Sequence, residues 1–446
     1  MLQSALSVEQ LSLLFFLTLL VLIFLGVPLA FTLGGTAILF ALLFWGPASL
    51  HMFASNTLGA MQNIVIVAVP LFIFMGCLLE VSGIGEDLYE FAYRTLGRIG
   101  GGLAIGTVGI CAIYAAMVGS SAPATVSMGL TALPSMLKRK YSREIAIGCI
   151  AGGGALGILI PPSIPMILYA MITGTSVGQL FIGGILPGLL ITAMFMAYIG
   201  VRCALKPGLG PPIPKEVLRQ EKTVTKATRR LGLTLIMPIG LIIAMFATIY
   251  AGVATPTEAA SVGAFGALIV GVINGRLNRS VLNKASLDAL GLTTMVMWLT
   301  LGGVWLGSVY QAIGASRLVS NFLMSFDIGR WGIMIIMQST WFVLGMLMDP
   351  AAILFMTMPI YFPIVTDLGF DPIWFGVLFI VNMEMSYLTP PFGLNLFYLK
   401  AIAPIDITMR QIIRSCLPFI AIQAIALVLV MLFPQIILWL PSQMVK

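Results

Sequence analysis

Charged residues are scarce in this chain: only 9% of its 446 residues are Asp, Glu, Lys or Arg, whereas soluble proteins carry about a quarter. Two long stretches, 10–79 and 145–201, contain no formal charge at all. Each can hold several membrane spans of about 20 residues. The scarcity of charge excludes a soluble protein. Because segments of alternating polarity are also missing, the sequence predicts an all-α integral membrane protein rather than a β-barrel.

The chain also lacks the residue patterns of enzymes and ATP-driven pumps. It has one histidine, His51, and five cysteines without metal or disulfide spacing, so we expect no transition-metal site and regard the cysteines as packing residues. The glycine runs 100–102 and 152–154 are not followed by Lys-Ser or Lys-Thr, so they are not phosphate loops, and close helix packing explains them better. Without a nucleophile and base or a metal cluster we predict no enzyme. Ion gradients remain as the energy source.

The net charge of +7 does not indicate a nucleic-acid partner, because the basic residues lie in short loops between apolar segments. The most basic loop, 204–230, is expected to be cytoplasmic by the positive-inside rule. The apolar run that begins the chain continues through Trp45 without a small-residue cleavage pattern. It therefore predicts membrane spans rather than a cleaved signal peptide.

Polar interruptions recur in two apolar regions with the same spacing. Ser120 and Pro161 are 41 residues apart, and so are Asp349 and Pro390, with an offset of 229 between the two pairs (349 minus 120, 390 minus 161). Such self-similarity predicts two related halves.

A third landmark supports this division, because Pro28 and Pro256 both precede small-residue helix starts and lie 228 residues apart (256 minus 28). We predict a first repeat at 1–203, the basic loop, and a second repeat at 231–446. The segments predicted in the first repeat are two spans within 11–45 that meet near Pro28, a span at 64–79, an interfacial helix at 80–98, an interrupted segment at 99–137, a broken helix at 145–175 and a span at 180–201. Those predicted in the second repeat are spans at 231–250, 256–273 and 290–313, an interrupted segment at 331–366, a broken helix at 374–398 and a span at 417–440.

The charges that flank the two interrupted segments predict opposite orientations. Basic residues at both ends of 99–137 place its ends in the cytoplasm, whereas the segment 331–366 is flanked by Asp327, Asp367 and Asp371 and should open from the outside. The flanking charges fit two full crossings or one re-entrant hairpin equally well; the polar interruption favours the hairpin. Opposite orientation of two halves is the inverted-repeat plan of secondary transporters, whose binding site lies where discontinuous helices meet.

The interruptions supply the candidate site residues. Ends of half-helices attract ions through unpaired backbone groups, and Ser120, Ser121, Ser163 and Thr389 add hydroxyls there; plain capping is the alternative for each. Asp349 is the sharpest candidate, because an ionisable group within a membrane span is functional by default. An N-cap role before Pro350 is compatible with that function.

Two glutamates are weighed differently. Thr255 and Glu258 have capping-box spacing at a helix start, so we favour a structural role for Glu258. Glu384, just before the Pro390 interruption, is a candidate proton or substrate contact; the alternative is a satisfied buried acid facing Asn382 or Asn395. His51 is assigned to an outer loop with no function.

Several motifs, in this order, resemble the large membrane subunit of tripartite ATP-independent periplasmic (TRAP) transporters. They are Val69-Pro70-Leu71-Phe72-Ile73, Gly119-Ser120-Ser121, Ile160-Pro161-Pro162-Ser163-Ile164-Pro165, Thr255-Pro256-Thr257-Glu258-Ala259-Ala260, Met348-Asp349-Pro350 and Thr389-Pro390-Pro391-Phe392-Gly393-Leu394-Asn395-Leu396. The resemblance implies an elevator-type, Na⁺-coupled importer in the bacterial inner membrane, with no cofactor beyond Na⁺. It also implies two partners that this chain does not encode, a periplasmic substrate-binding protein and a small four-helix membrane subunit. The substrate would be an organic acid: a C4-dicarboxylate, 2-oxo acid, sugar acid or aromatic carboxylate.

The resemblance also carries over site residues. The implied substrate contacts are Ser120, Ser121, Ser163, Asp349 and Thr389, and the implied Na⁺ site comprises Gly119, Ser120, Ser121, Pro161, Ser163, Met348, Asp349, Thr389 and Gly393. The segment 382–387 departs from the apolar and small residues of many relatives, which leaves ligand choice open. The alternatives are a stand-alone ion-coupled anion transporter and a passive channel.

Overall fold

A computed structural model describes residues 7–214, 225–325 and 328–444. Within those ranges the regular elements are helices, and no β-strand is present. The first ten α-helices are α1 (Val8–Phe24), α2 (Leu29–Trp45), α3 (Leu50–Met61), α4 (Ala68–Val81), α5 (Ile84–Leu96), α6 (Gly102–Val118), α7 (Ser121–Lys138), α8 (Arg143–Ala155), α9 (Ile164–Thr173) and α10 (Val177–Leu205). The others are α11 (Thr225–Tyr250), α12 (Pro256–Ile273), α13 (Arg279–Ile313), α14 (Ala315–Ser325), α15 (Gly329–Gly345), α16 (Pro350–Asp367), α17 (Pro372–Ser386), α18 (Leu394–Ile402), α19 (Met409–Leu432) and α20 (Gln435–Ser442).

Six of the described helical segments are long and apolar enough to cross a membrane. They are Ile64–Val81, Val177–Leu205, Pro256–Ile273, Arg279–Ile313, Pro350–Asp367 and Met409–Leu432. Large apolar side chains also remain exposed on the outer surface, such as Leu13 at 71% and Phe265 at 65%. An apolar exterior of this kind suits contact with lipid, and the chain is an all-α integral membrane protein.

Helix boundaries in the two halves correspond closely. The start of α16 follows that of α7 by 229 residues (350 minus 121), and α17 follows α8 by the same number (372 minus 143). In each half, an interruption separates a first helix pair (α6 and α7, or α15 and α16), and a second one separates the following pair (α8 and α9, or α17 and α18). The opposite membrane orientation of the halves stays a prediction.

The helices form two packed groups. In one, α2 packs on α13, and α4 packs on both α12 and α13. In the other, α6, α7 and α8 pack together and α8 contacts α19, while α15 and α16 contact α17. Between the groups, α13 packs against α16.

Small residues allow the closest of these contacts. A methyl group added to Gly302 of α13 would lie 2.7 Å from the carbonyl oxygen of Ala30 in α2. In α8, a methyl group on Gly152 would lie 2.6 Å from Phe419, and one on Gly153 would lie 2.9 Å from Cys111. The packing interpretation of the glycine run 152–154 is therefore confirmed. All five cysteines are free and buried, as packing residues are expected to be.

Several predicted boundaries are confirmed and others are wrong. The apolar run 11–45 does split at Pro28, which precedes α2. His51 lies in helix α3 rather than in a loop. The span predicted at 290–313 begins earlier, because α13 starts at Arg279.

Two further corrections concern segment ends. The span predicted at 417–440 is interrupted between α19 and α20, where Phe433 leaves the helical conformation before Pro434. Glu80 belongs to α4, and a separate helix α5 begins only at Ile84, so 80–98 is not one helix. Of the basic loop, residues 215–224 lie outside the described residues, and α11 begins at Thr225.

Candidate functional site

The interruption between α6 and α7 consists of Gly119 and Ser120, and its backbone lies close to that of Pro162 in the next interruption. Gly119 ends α6 with a φ of 68°, a conformation that glycine adopts without strain. A methyl group at this position would collide with the carbonyl oxygen of Pro162 in the next interruption. Ser120 follows in extended conformation (φ −146°, ψ 148°) and is the N-cap of α7. Its side chain makes no capping hydrogen bond, so the hydroxyl is not committed to the helix end.

The interruption between α8 and α9 is buried and more tightly bonded. A short 3₁₀ turn, Leu156–Ile158, ends the first helix segment. Ser163 is fully buried and donates its hydroxyl hydrogen to the Ile158 carbonyl oxygen over 2.5 Å. A methyl group on Gly157 would lie 2.8 Å from the Cα of Ser121, so the two interruptions of the first half touch at this point as well.

In the second half, Asp349 is the N-cap of α16. Its Oδ1 accepts a hydrogen bond from the Ala351 backbone N–H at 2.9 Å, and its Oδ2 accepts one from the Tyr387 hydroxyl at 3.2 Å. Tyr387 is the C-cap of α17, so this contact joins both interruptions of the second half. The capping alternative for Asp349 is thus correct in geometry, and it leaves the carboxylate at a helix N-terminus, where the helix dipole stabilises negative charge.

The interruption between α17 and α18 brings Gly393 close to the same place. Gly393 has a φ of 35° and is the N-cap of α18. Nearby, the Phe392 N–H donates to the Met346 carbonyl oxygen at 3.1 Å, a second bond between the two interruptions of this half. Thr389 donates its hydroxyl hydrogen to the Met385 carbonyl oxygen at 2.9 Å, within its own segment.

A small cavity of about 90 Å³ lies where the two halves meet. Gly119 and Ser120 line it from the first half, and Asp349 and Tyr387 line it from the second. Glu80 of α4 forms part of the same lining. The volume is several times the roughly 10–15 Å³ that one water molecule needs, which suits a small ion. Ser120 of the first half and Asp349 of the second half therefore line one cavity.

A larger cavity of about 380 Å³ adjoins the small one, because Met295, Leu299 and Asp349 line both. Met348, Asp349 and Gly393 contribute to its lining, together with Pro28 at the start of α2 and Tyr398 of α18. Its size is within the range of about 300–1,000 Å³ that is common for small-molecule sites. Asp349 is thus shared by a cavity of ion size and a cavity of organic-molecule size.

Charge is distributed unevenly around these cavities. Among the residues that line them, the charged ones are the acids Glu80 and Asp349, and neither lining includes a lysine, arginine or histidine. Glu80, Tyr387 and Tyr398 were missed by the sequence analysis. The signal for Glu80 was available, because an acid directly follows the uncharged run 10–79 and belongs to the apolar segment Ile64–Val81.

Not every predicted site residue reaches a cavity. Ser121, Pro161, Ser163 and Thr389 line neither of these two cavities. The hydroxyls of Ser163 and Thr389 are hydrogen-bonded to nearby backbone carbonyls. Their roles as ligands stay predictions.

The structure defines the surroundings of both glutamates considered above, Glu258 and Glu384. Glu258 is exposed, and its Oε2 accepts hydrogen bonds at 2.8 Å from the backbone N–H and from the hydroxyl of Thr255, so the capping-box prediction is confirmed. Glu384 is fully buried, and its partner is Gln423 rather than Asn382 or Asn395. Its proposed neighbours bond elsewhere: Asn382 to Gln338 and Asn395 to the Ala151 carbonyl.

Comparison with known families agrees with this architecture. The profile of the family described as "Tripartite ATP-independent periplasmic transporter, DctM component" matches residues 16–436. The chain belongs to the DctM family. Within the residues that the structure describes, no group of three or more His, Cys, Asp or Glu is arranged to hold a metal ion. The DctM-family chain is a transporter permease of the bacterial inner membrane, not an enzyme.

Individual relatives are similar over almost their whole length. The C4-dicarboxylate TRAP transporter large permease protein DctM of Pseudomonas aeruginosa is 34% identical over 412 residues, which cover 92% of this chain and 94% of the relative. The sialic acid TRAP transporter large permease protein SiaM of Vibrio cholerae is 29% identical, with 94% of this chain and 96% of the relative covered.

A solved structure supports the fold. The YdaH transporter of Alcanivorax borkumensis superposes with a TM-score of 0.60 and 14% identity, covering 94% of this chain and 97% of that one. At an identity this low, the similarity supports a shared fold and no shared function. The DctM-family chain therefore has the all-α architecture of a membrane transporter.

Proposed function

We propose that this chain is the large membrane subunit of a Na⁺-coupled importer of an organic acid. The observation that carries the proposal is the small cavity lined by Ser120 of one half and Asp349 of the other. Family membership makes the chain a secondary TRAP transporter of organic acids. Sodium coupling, the substrate and the specific partners are the additional steps that we propose.

The donors around the small cavity fit a hard monovalent cation. The Ser120 hydroxyl and the Asp349 carboxylate supply oxygen ligands, and interrupted helices in transporters coordinate Na⁺ through carbonyl oxygens. A transition metal would favour nitrogen or sulfur ligands instead. We infer that Ser120 and Asp349 hold the coupling ion, and that Glu80 adds to the negative potential.

The larger cavity is the proposed substrate chamber. Because its lining holds no basic side chain, an organic anion there would be bound by helix N-terminal amides, by hydroxyls such as that of Tyr398, and by attraction to the bound cation. Binding of the anion would then depend on Na⁺. This dependence is the physical basis of the proposed symport.

The position of the small cavity supports an elevator motion. On one side are α4 and α13, through residues such as Cys77, Glu80 and Val296; on the other are the interrupted helices with Ser120 and Asp349. We propose that α4 and α13 belong to the scaffold and that the interrupted helices move past them. The periplasmic binding protein would deliver the substrate, and the small four-helix subunit would brace the scaffold within the lipid.

The experiment is uptake into proteoliposomes that contain the large and small subunits, with the binding protein added outside. Radiolabelled succinate, pyruvate, a sugar acid and benzoate represent the four substrate classes. We expect accumulation of one of them with a Na⁺ gradient and none when choline replaces Na⁺. Undiminished uptake in choline would refute Na⁺ coupling and favour protons, and uptake without the binding protein would favour a stand-alone transporter.

A further inference from the structure

Glu384 occupies a fully buried position in α17, away from both cavities described above. Its neighbours at Asn382 and Ser386 bond towards α15: the Asn382 side chain donates to the backbone oxygen of Gln338 at 2.8 Å and to its side-chain oxygen at 2.7 Å. Two residues along a helix correspond to a rotation of about 200°. Glu384 therefore faces the opposite side, where Gln423 of α19 donates its Nε2 hydrogen to Glu384 Oε1 at 2.9 Å.

The remaining oxygens of this pair are unsatisfied. Glu384 Oε2 and Gln423 Oε1 are both buried, and neither has a hydrogen-bond partner among the described residues. Both are acceptors when the carboxyl is ionised, so neither can satisfy the other. A buried acceptor without a donor has lost its hydrogen bonds to water without replacing them, and the free-energy penalty is larger when the acceptor is charged.

Among the residues that the structure describes, no cation forms an ion pair with Glu384. The charged residues on the described helices that pack against α17 are Arg202, Arg330, Asp367, Arg410 and Arg414. The other titratable residues on those helices are Tyr169, Tyr198, Cys203, Tyr361 and Cys416. None forms an ion pair with Glu384. Arg414 is the cation nearest in sequence to Gln423, nine residues away (423 minus 414) on the same helix. Nine residues place its backbone about 13 Å along the helix axis, and its side chain is 79% exposed.

We propose that Glu384 is a proton-binding site. A proton taken from solvent onto Oε2 leaves the carboxyl neutral and turns that oxygen into a donor towards Gln423 Oε1. One proton thereby satisfies both orphaned oxygens and completes a pair of hydrogen bonds between α17 and α19. Because Tyr387 lies one turn further along α17 and bonds Asp349, Glu384 acts as a positioning residue for the segment next to the candidate site.

Infrared spectroscopy of the purified full-length chain in lipid nanodiscs at neutral pH tests the proposal. The wild type should show the carbonyl band of a protonated carboxylic acid, and Glu384→Gln should lose that band without losing ionised carboxylate intensity. The matched control is Glu258→Gln, which removes an exposed glutamate and should leave the protonated band unchanged. Loss of ionised carboxylate intensity in Glu384→Gln would overturn the proposal.

A second variant keeps the test informative if Glu384→Gln folds poorly. In Gln423→Leu the carbonyl oxygen of the acid loses its donor, so the protonated band should persist and move to higher frequency. An unchanged band position in that variant would contradict the pairing with Gln423. If Glu384→Gln retains the thermal stability of the wild type and Glu384→Ala loses it, the result would support a neutral hydrogen-bonded pair.

Discussion

Replacing Asp349 with asparagine separates the two roles of this residue. Asparagine is as good an N-cap as aspartate, so its amide oxygen can still accept the bond from the Ala351 N–H (2.9 Å). Its amide nitrogen can donate to the Tyr387 hydroxyl oxygen, which reverses the direction of the 3.2 Å bond and removes the charge. We therefore expect the stability without Na⁺ to change by less than about 1 kcal/mol.

The effect on ion binding should be much larger. A cation about 4 Å from a carboxylate interacts with about 4 kcal/mol at an effective dielectric constant of 20, and each 1.4 kcal/mol is tenfold in affinity. Allowing for ligands that remain, Asp349→Asn should weaken Na⁺ binding by about two to three orders of magnitude.

The assay is the melting temperature of the purified chain as NaCl replaces choline chloride at constant ionic strength. A ligand that binds only the folded state raises stability as its concentration exceeds the dissociation constant. Sodium should raise the melting temperature of the wild type and leave that of Asp349→Asn unchanged. The matched control is Asp371→Asn, because Asp371 also precedes a proline and caps α17 through the N–H groups of Ile373 and Trp374, yet it lines neither cavity. If Asp349→Asn responds to Na⁺ like the wild type and the control, the carboxylate is not an ion ligand.

Three further changes test the remaining geometry. Glu80→Gln should weaken Na⁺-dependent stabilisation about tenfold, because a carboxylate that lines the cavity without contacting the ion contributes about 1–2 kcal/mol through its charge; an unchanged response would remove it from the site. Gly119→Ala should destabilise the chain by about 1–3 kcal/mol more than Gly174→Ala in thermal unfolding, since both have φ near 70° but only Gly119 meets a backbone oxygen; equal losses would contradict that contact. Cysteines placed at the exposed positions Lys138 and Asp367 should label from opposite membrane sides with little background from the five buried cysteines, and same-side labelling would exclude the inverted arrangement.

Helix interruptions were predictable because their causes are local. Proline removes a backbone donor and fixes φ, and serine or aspartate can satisfy a helix end, so the interruptions near Ser120, Pro161, Asp349 and Pro390 were visible in the sequence. The same kind of signal, a proline within an apolar run, is present at Pro434, where the span predicted at 417–440 is divided. The start of α13 was predicted too late for a different reason. Its N-terminal part, from Arg279 to Asp288, is polar, so the apolar pattern indicated only the part of the helix that follows.

Contacts between distant helices were not predictable in the same way. Glu384 had several polar candidates as partners, and the choice of Gln423 depends on how α17 and α19 are rotated against each other. Likewise, the cavity lining at Glu80 depends on packing between α4 and the interrupted helices. A single sequence fixes neither rotation nor packing, whereas it does reveal where a helix must stop.

The carboxylate of Asp349 belongs to the walls of both the 90 Å³ and the 380 Å³ cavity. Occupants of the two chambers would therefore act on one shared negative charge, each changing the field in which the other is bound. By thermodynamic linkage, a bound cation and a bound organic anion change each other's affinity by the same factor. One carboxylate that two cavities share is enough to couple the two binding equilibria.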